Sequence, residues 1–193
     1  MAKFHPDYMI TMKDFVKEHS VLLRKQTQDV AIPVPLEDRH TLLSMLQYLK
    51  NSQDPNLIKK YKLRPGSGLS ANQIGVDKRM FAAVLFKDHN QKHEMMFINP
   101  KVMSHSLNMI YLPEGEGCLS VNRPVHGFVP RYERIKVKAY NIAGQEFIMS
   151  LKGYESIVVQ HEIDHLNGIM FYDRMNKDNP FQLPQNVIIE SLY

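Results

Sequence analysis

Gln160-His161-Glu162-Ile163-Asp164-His165-Leu166-Asn167-Gly168 carries two histidines and two acids within six residues of one another. On a helix, His161 and His165 stand one turn apart on one face, so both imidazoles can reach a single metal ion. Glu162 adjoins the first His, where its carboxylate can take a proton from a water activated by that metal. Apolar residues at Ile157, Val158, Ile163 and Leu166 keep helical spacing, and Gly168 suits a C-terminal cap. A catalytic site of this kind needs a third protein ligand and one open position. Phe171 stands where one extended metalloprotease pattern would have its third His. That leaves Glu190 far downstream or, with better chemistry, the chain's only cysteine, Cys118.

Composition sets the frame. At 193 residues, with 44% hydrophobic and 23% charged, the chain has the makings of an ordinary globular protein, expected as one catalytic domain over residues 1–193. A net charge of +4 is mild and reads as a solvated surface. One cysteine excludes an internal disulfide and fits a reducing compartment. Met1 to Phe15 lacks the apolar core of a secretory leader, and the apolar run Met80 to Phe86 is too short to span a bilayer. The expected location is cytoplasmic, with no membrane partner.

Near the N-terminus, Thr11-Met12-Lys13-Asp14 has the form of a capping box and predicts a short helix ending near His19. Val30 to Pro35 reads as an extended linker. Leu42, Met45, Leu46 and Leu49 predict an amphipathic helix from Glu37 to about Asn51, with Leu43 expected to extend its apolar stripe, and Pro55 begins another through Tyr61. Lys59, Lys60, Lys62 and Arg64 form a basic cluster that reads as a solvated face. Strands are expected over 79–86, 95–98, 101–106, 135–140 and 146–151, with a hairpin turn at 141–144 and a final β-rich run over 187–192. Strands gathered before a late helix predict an α+β fold: antiparallel sheets packed around a central metal-binding helix carrying H-E-x-x-H.

Glu114-Gly115-Glu116-Gly117-Cys118-Leu119-Ser120 sets the lone Cys beside a flexible glycine. With His161 and His165 it would make a Cys-His-His set, suited to zinc, ferrous iron, nickel or cobalt. A Cys-His nucleophile would use the same residues but leave the paired histidines and Glu162 without a joint purpose. Arg131, after Pro130, is placed to pair with Glu116 or Asp164.

Gly66-Ser67-Gly68-Leu69-Ser70-Ala71-Asn72-Gln73, Glu116-Gly117-Cys118-Leu119-Ser120 and Gln160 to His165 resemble the signature motifs of peptide deformylases, in the same order. The similarity spans about Ile10 to Tyr172 and is nearest the second bacterial class of that family. It implies hydrolysis of the N-formyl group from nascent chains beginning with formyl-methionine, with release of formate. It also implies one divalent metal, ferrous iron natively, held by Cys118, His161 and His165. Glu162 would be the general base, while the Gln73 amide and the Leu119 backbone N–H would form an oxyanion hole. Gly68 and Gly117 would pair with an extended peptide, and Ile157 and Val158, with Ser67, would line the pocket for the Met side chain.

Some positions depart from the family pattern. Ser67 replaces an aliphatic residue, Ser70 stands where Ala is common and Asn72 where Pro is common; the last two are expected not to touch the chemistry. His19 and Val21 stand where Gly and Pro are usual, so the local turn there is expected to differ. Two rivals remain. One is a zinc endopeptidase using His161, His165 and Glu190. The other is a ribosome- or RNA-binding protein with a structural metal, disfavoured because no interleaved aromatic platform accompanies the basic segment Lys59 to Arg64. Transient ribosome association is compatible with the deformylase reading; specific nucleic-acid binding is not expected.

Overall fold

Two apolar rhythms, one of period 3.6 and one of period two, build the chain into helices laid against a sheet. A computed structural model gives the fold of residues 3–87 and 91–193. Met1 and Ala2, part of the segment read above as lacking a leader, lie outside the described residues, as do residues 88–90. In chain order the elements are α1 (Leu36–Asn51), α2 (Pro55–Tyr61), β1 (Gly68–Ser70), β2 (Met80–Lys87), β3 (Gln91–His105), β4 (Met109–Tyr111), β5 (Arg131–Tyr132), β6 (Arg134–Tyr140), β7 (Glu146–Lys152), α3 (Gly153–Leu166) and β8 (Ile189–Ser191). An antiparallel five-stranded sheet has the order β1-β2-β3-β6-β7. A three-stranded sheet has the order β5-β4-β8, in which β4 and β8 run parallel. The class is α+β, as expected.

The alternation in β6 buries Ile135, Val137 and Ala139 on one face. They pack with Val159, Ile163 and Leu166 of α3, and with Phe81 and Phe97, whose rings stack at 4.5 Å. The other side of the core takes Leu42, Met45, Leu46 and Leu49 of α1 against Leu69, Met80 and Ala82. Helix α3 therefore lies against β1, β2, β5 and β7, with its two histidines held by packing on neighbouring turns. Gly168 ends it in the left-handed region at φ +75°, where an added Cβ would meet the Arg24 backbone at 2.8 Å. Only glycine fits that cap.

Several expectations are corrected. Residues 12–15 form turns instead of a helix: Asp14 does accept from the Thr11 N–H at 2.9 Å, but Val16 N–H is drawn to the Gln73 carbonyl. The runs at 95–98 and 101–106 belong to one strand, β3. Its register shifts between Ile98 and Lys101, with Asn99 at φ +49°, which lets Pro100 pass without a ladder N–H. The final β-run shrinks to β8, and the short strands β4 and β5 carry too few residues to signal themselves. Leu69 and Ser70 enter the sheet in β1, and Ala71–Ile74 follows as a 3-10 turn.

Candidate metal centre and active site

Helix α3 presents His161 and His165 toward the loop after β4, and the Cys118 loop closes over them. The donor atoms of Cys118, His161 and His165 all lie within 4.8 Å of one another. Cys118 Sγ is 3.3 Å from His165 Nε2, and the two Nε2 atoms are 3.1 Å apart. His161 Nδ1 lies 2.8 Å from Glu116 Oε2, which fixes the proton on Nδ1 and leaves Nε2 as a lone-pair donor. Two imidazole nitrogens and a sulfur gathered this closely suit a bound cation. Glu190, the rival ligand, sits on β8 opposite Ile110 and lines a different cleft.

Behind the cluster is a buried charge network. Arg131 donates from Nε and Nη2 to the two Glu116 oxygens at 2.8 and 2.9 Å, and from Nη1 to Asp164. Arg174 closes the chain of charges on Asp164 at 2.6 and 3.0 Å. Burial works against the Glu116 carboxylate, yet Arg131 and His161 hold its pKa down to about 2. Arg131 is likewise kept charged against burial by Glu116 and Asp164. Burial disfavours a proton on His161, but contacts to Cys118 and Glu116 more than offset it, so its pKa is raised. Surroundings that favour an imidazolium there also favour a metal cation in the proton's place. His165 is pushed the other way, by burial first and then by the His161 charge.

The cluster opens into a cleft of about 620 Å³ lined by Ser67, Gly68, Gln73, Gly117, Leu119 and Glu162, with Ile157 and Val158 on its α3 wall. Gln73 Oε1 accepts from the Ser70 N–H at 2.9 Å, which turns Nε2 toward Cys118 Sγ at 3.4 Å. Burial raises the pKa of Glu162. An added Cβ on Gly68 would meet Glu162 Cδ at 2.7 Å, so this glycine is required by the carboxylate itself. Over Gly117 an added Cβ meets nothing within 4 Å. Ser67 Oγ shares a hydrogen bond with Tyr154 Oη at 2.9 Å, a polar bridge on a wall otherwise made by Leu112, Leu119, Ile157 and Val158.

Three residues expected to lie apart from the site are part of its surroundings. Ser70 and Asn72 do touch the site: Ser70 Oγ donates to Glu162 Oε2 at 2.5 Å, and Asn72 Nδ2 donates to the His165 carbonyl at 2.6 Å. Arg64, grouped with solvated lysines, donates to the carbonyls of Cys118, Leu119 and Val121 and shapes the cysteine loop. Lys59, Lys60 and Lys62 are exposed, as expected. Nothing local to Arg64 or Arg174 announces these contacts, because their partners lie in other motifs or at the far end of a turn.

The polypeptide deformylase family model matches residues 12–181. This chain belongs to that family. It is 51% identical over 176 residues to peptide deformylase 2 of Bacillus anthracis, covering 91% of this chain and 96% of that protein. Peptide deformylase 2 of Geobacillus stearothermophilus is 52% identical over 180 residues, covering 93% and 98%. Among solved structures, the peptide deformylase from Ehrlichia chaffeensis superposes with a TM-score of 0.71 at 26% identity, over 89% of this chain and 90% of that one. The enzyme from Thermotoga maritima gives 0.67 at 28% identity, over 88% and 99%. Family members are metal-dependent hydrolases that remove the N-formyl group from nascent peptides. The α+β fold around α3 is the fold of these relatives. Among the described residues, no helix is long and apolar enough to cross a membrane.

Proposed function

We propose that this chain carries out the family's deformylation with Cys118, His161 and His165 holding one divalent metal ion and Glu162 carrying the proton. The observation that supports it is the placement of the Glu162 carboxylate in the cleft wall beside those three donors. A thiolate with two imidazoles and an open position suits ferrous iron as the native metal, with zinc, nickel or cobalt as substitutes. When bound, the metal acts as a Lewis acid and lowers the pKa of water at the site.

The protein's own groups supply the rest. Glu162, with its pKa raised by burial, takes a proton as water attacks the formyl carbon. Negative charge building on the formyl oxygen is met by Gln73 Nε2, whose orientation the Ser70 N–H sets, and by the Leu119 N–H. Glu162 then returns the proton to the leaving amine, giving formate and a free N-terminus. Glu116 keeps His161 oriented, and Arg131 keeps Glu116 ionised.

The substrate enters as an extended N-formylmethionyl peptide. Among the described residues β1 pairs with β2 alone, and its outer edge offers backbone groups for an added strand. Gly68 lies in that strand and Gly117 leaves the opposite wall open. The Met side chain packs on Ile157 and Val158, with Ser67 at the pocket rim. Residues 1–193 act as one catalytic domain in the cytoplasm, meeting nascent chains in transient contact with the ribosome. Formate release from formyl-Met peptide by anaerobically purified protein tests the reading. The expected result is turnover far faster than on acetyl-Met peptide, because the acetyl methyl crowds the space between Gln73, Leu119 and the cluster. Comparable kcat/KM on both would overturn it.

A further inference from the structure

We propose that Ser70 is a positioning residue for Glu162, its hydroxyl holding the carboxylate in the orientation that proton transfer needs. The inference rests on the assignment of Glu162 as proton carrier. Ser70 is fully buried at the end of β1, and its Oγ lies 2.5 Å from Glu162 Oε2 and 3.1 Å from the carbonyl of the same residue. A hydroxyl has one proton. The carboxylate, the stronger acceptor at the shorter distance, receives the hydrogen bond. With Oε2 engaged, Oε1 lies against the Cα of Gly68, where an added Cβ would also meet Cγ at 2.7 Å. The glycine and the hydroxyl therefore work together: one leaves room for the carboxylate, the other stops it from rotating in that room.

Ser70 also anchors the second catalytic group, but through its backbone. Its N–H donates to Gln73 Oε1, a bond any residue except proline could supply. The side-chain oxygen also serves the capping box that opens the Ala71–Ile74 turn, on the Gln73 backbone N–H, so the link to Glu162 is isolated by comparing the loss of the hydroxyl with and without the Glu162 carboxylate. The segment cannot drift from the helix, since Asn72 is tied to the His165 carbonyl at 2.6 Å and to the Leu22 carbonyl at 3.2 Å.

The test is a double-mutant cycle on the metal-loaded full chain with formyl-Met peptide, using Ser70→Ala, Glu162→Gln and the pair together. Metal content and Tm are measured on every preparation. Ser70→Ala should lower kcat by roughly tenfold, the scale of a modest misplacement of a catalytic group, with KM and metal content unchanged. Once Glu162 is Gln, the same Ser70→Ala change should alter kcat by less than about twofold, because groups acting as a unit are not additive. Ser70→Gly, which lacks the same hydroxyl, must show the same coupling, so a stability loss peculiar to one variant does not decide the matter. A crystal structure of Ser70→Ala should show the Glu162 carboxylate rotated or split between conformers. An equal loss in both backgrounds, or an unmoved carboxylate, would overturn the inference. Near-normal turnover by Glu162→Gln would instead overturn the assignment of Glu162 itself, whereas a slow Glu162→Gln beside an unchanged Ser70→Ala overturns only the role of Ser70.

Discussion

Helices α1 and α3 are of similar length and both are largely buried, yet they are buried for opposite reasons. Helix α1 turns Leu42, Met45, Leu46 and Leu49 into the core, and its buried hydroxyls bond to carbonyls: Thr41 to Glu37, Ser44 to His5 and Tyr48 to Arg64. Its buried acid, Asp38, has Lys78 at 3.5 Å. Helix α3 buries Gln160, Glu162, Asp164 and His165 as well as its apolar residues. Their partners come from Tyr132, Ser70, Arg131 and Cys118, each on a different segment. In α1 burial follows from apolar area removed from water. In α3, beside the apolar residues, the buried acids Glu162 and Asp164 are tolerated because each finds a specific partner, since an unpaired buried charge is costly. If the proposed function holds, changes on α1 should act on stability and changes around the α3 carboxylates and histidines on chemistry.

The contrast can be broken at its sharpest point. Cys118→Ala should remove bound metal and take activity to background, the largest effect expected. Metal analysis beside formate release checks it, and full metal occupancy in that variant would remove Cys118 from the ligand set. Next, Arg131→Ala leaves Glu116 and Asp164 buried without their shared cation. Unfolding in denaturant should show a loss of about 3–5 kcal/mol, together with weaker metal binding because His161 loses its oriented partner. Leu49→Ala, in the fully buried face of α1, should cost about 2–5 kcal/mol while kcat per bound metal stays near normal. A large kcat loss there would blur the division between the helices. Smallest of all, Leu43→Gln on the 39% exposed side of α1 should shift stability by no more than about 0.5 kcal/mol, read as a change in denaturation midpoint.

Local physics made much of this molecule legible from residue order alone. Apolar spacing in 36–51, a Pro start at 55 and period-two runs in 134–140 and 146–152 encode their elements within a few residues, and the structure places them there. The H-E-x-x-H spacing likewise puts His161 and His165 on one helix face whatever the rest of the chain does. Other features depend on partners distant in sequence, and these the tertiary fold decides. Thr11–Asp14 carries a helix signal that the pull of the Gln73 carbonyl on Val16 overrides. Strand β3 runs through Pro100 because a bulge forms against β6. Ser70 and Asn72 look like neutral departures in a motif until packing sets them on Glu162 and His165, some 92 and 93 positions away. A residue's own propensity is written in its neighbours along the chain. The hydrogen-bond partner of a buried polar group is chosen only when the core closes, because only there does leaving it unpaired cost enough to matter.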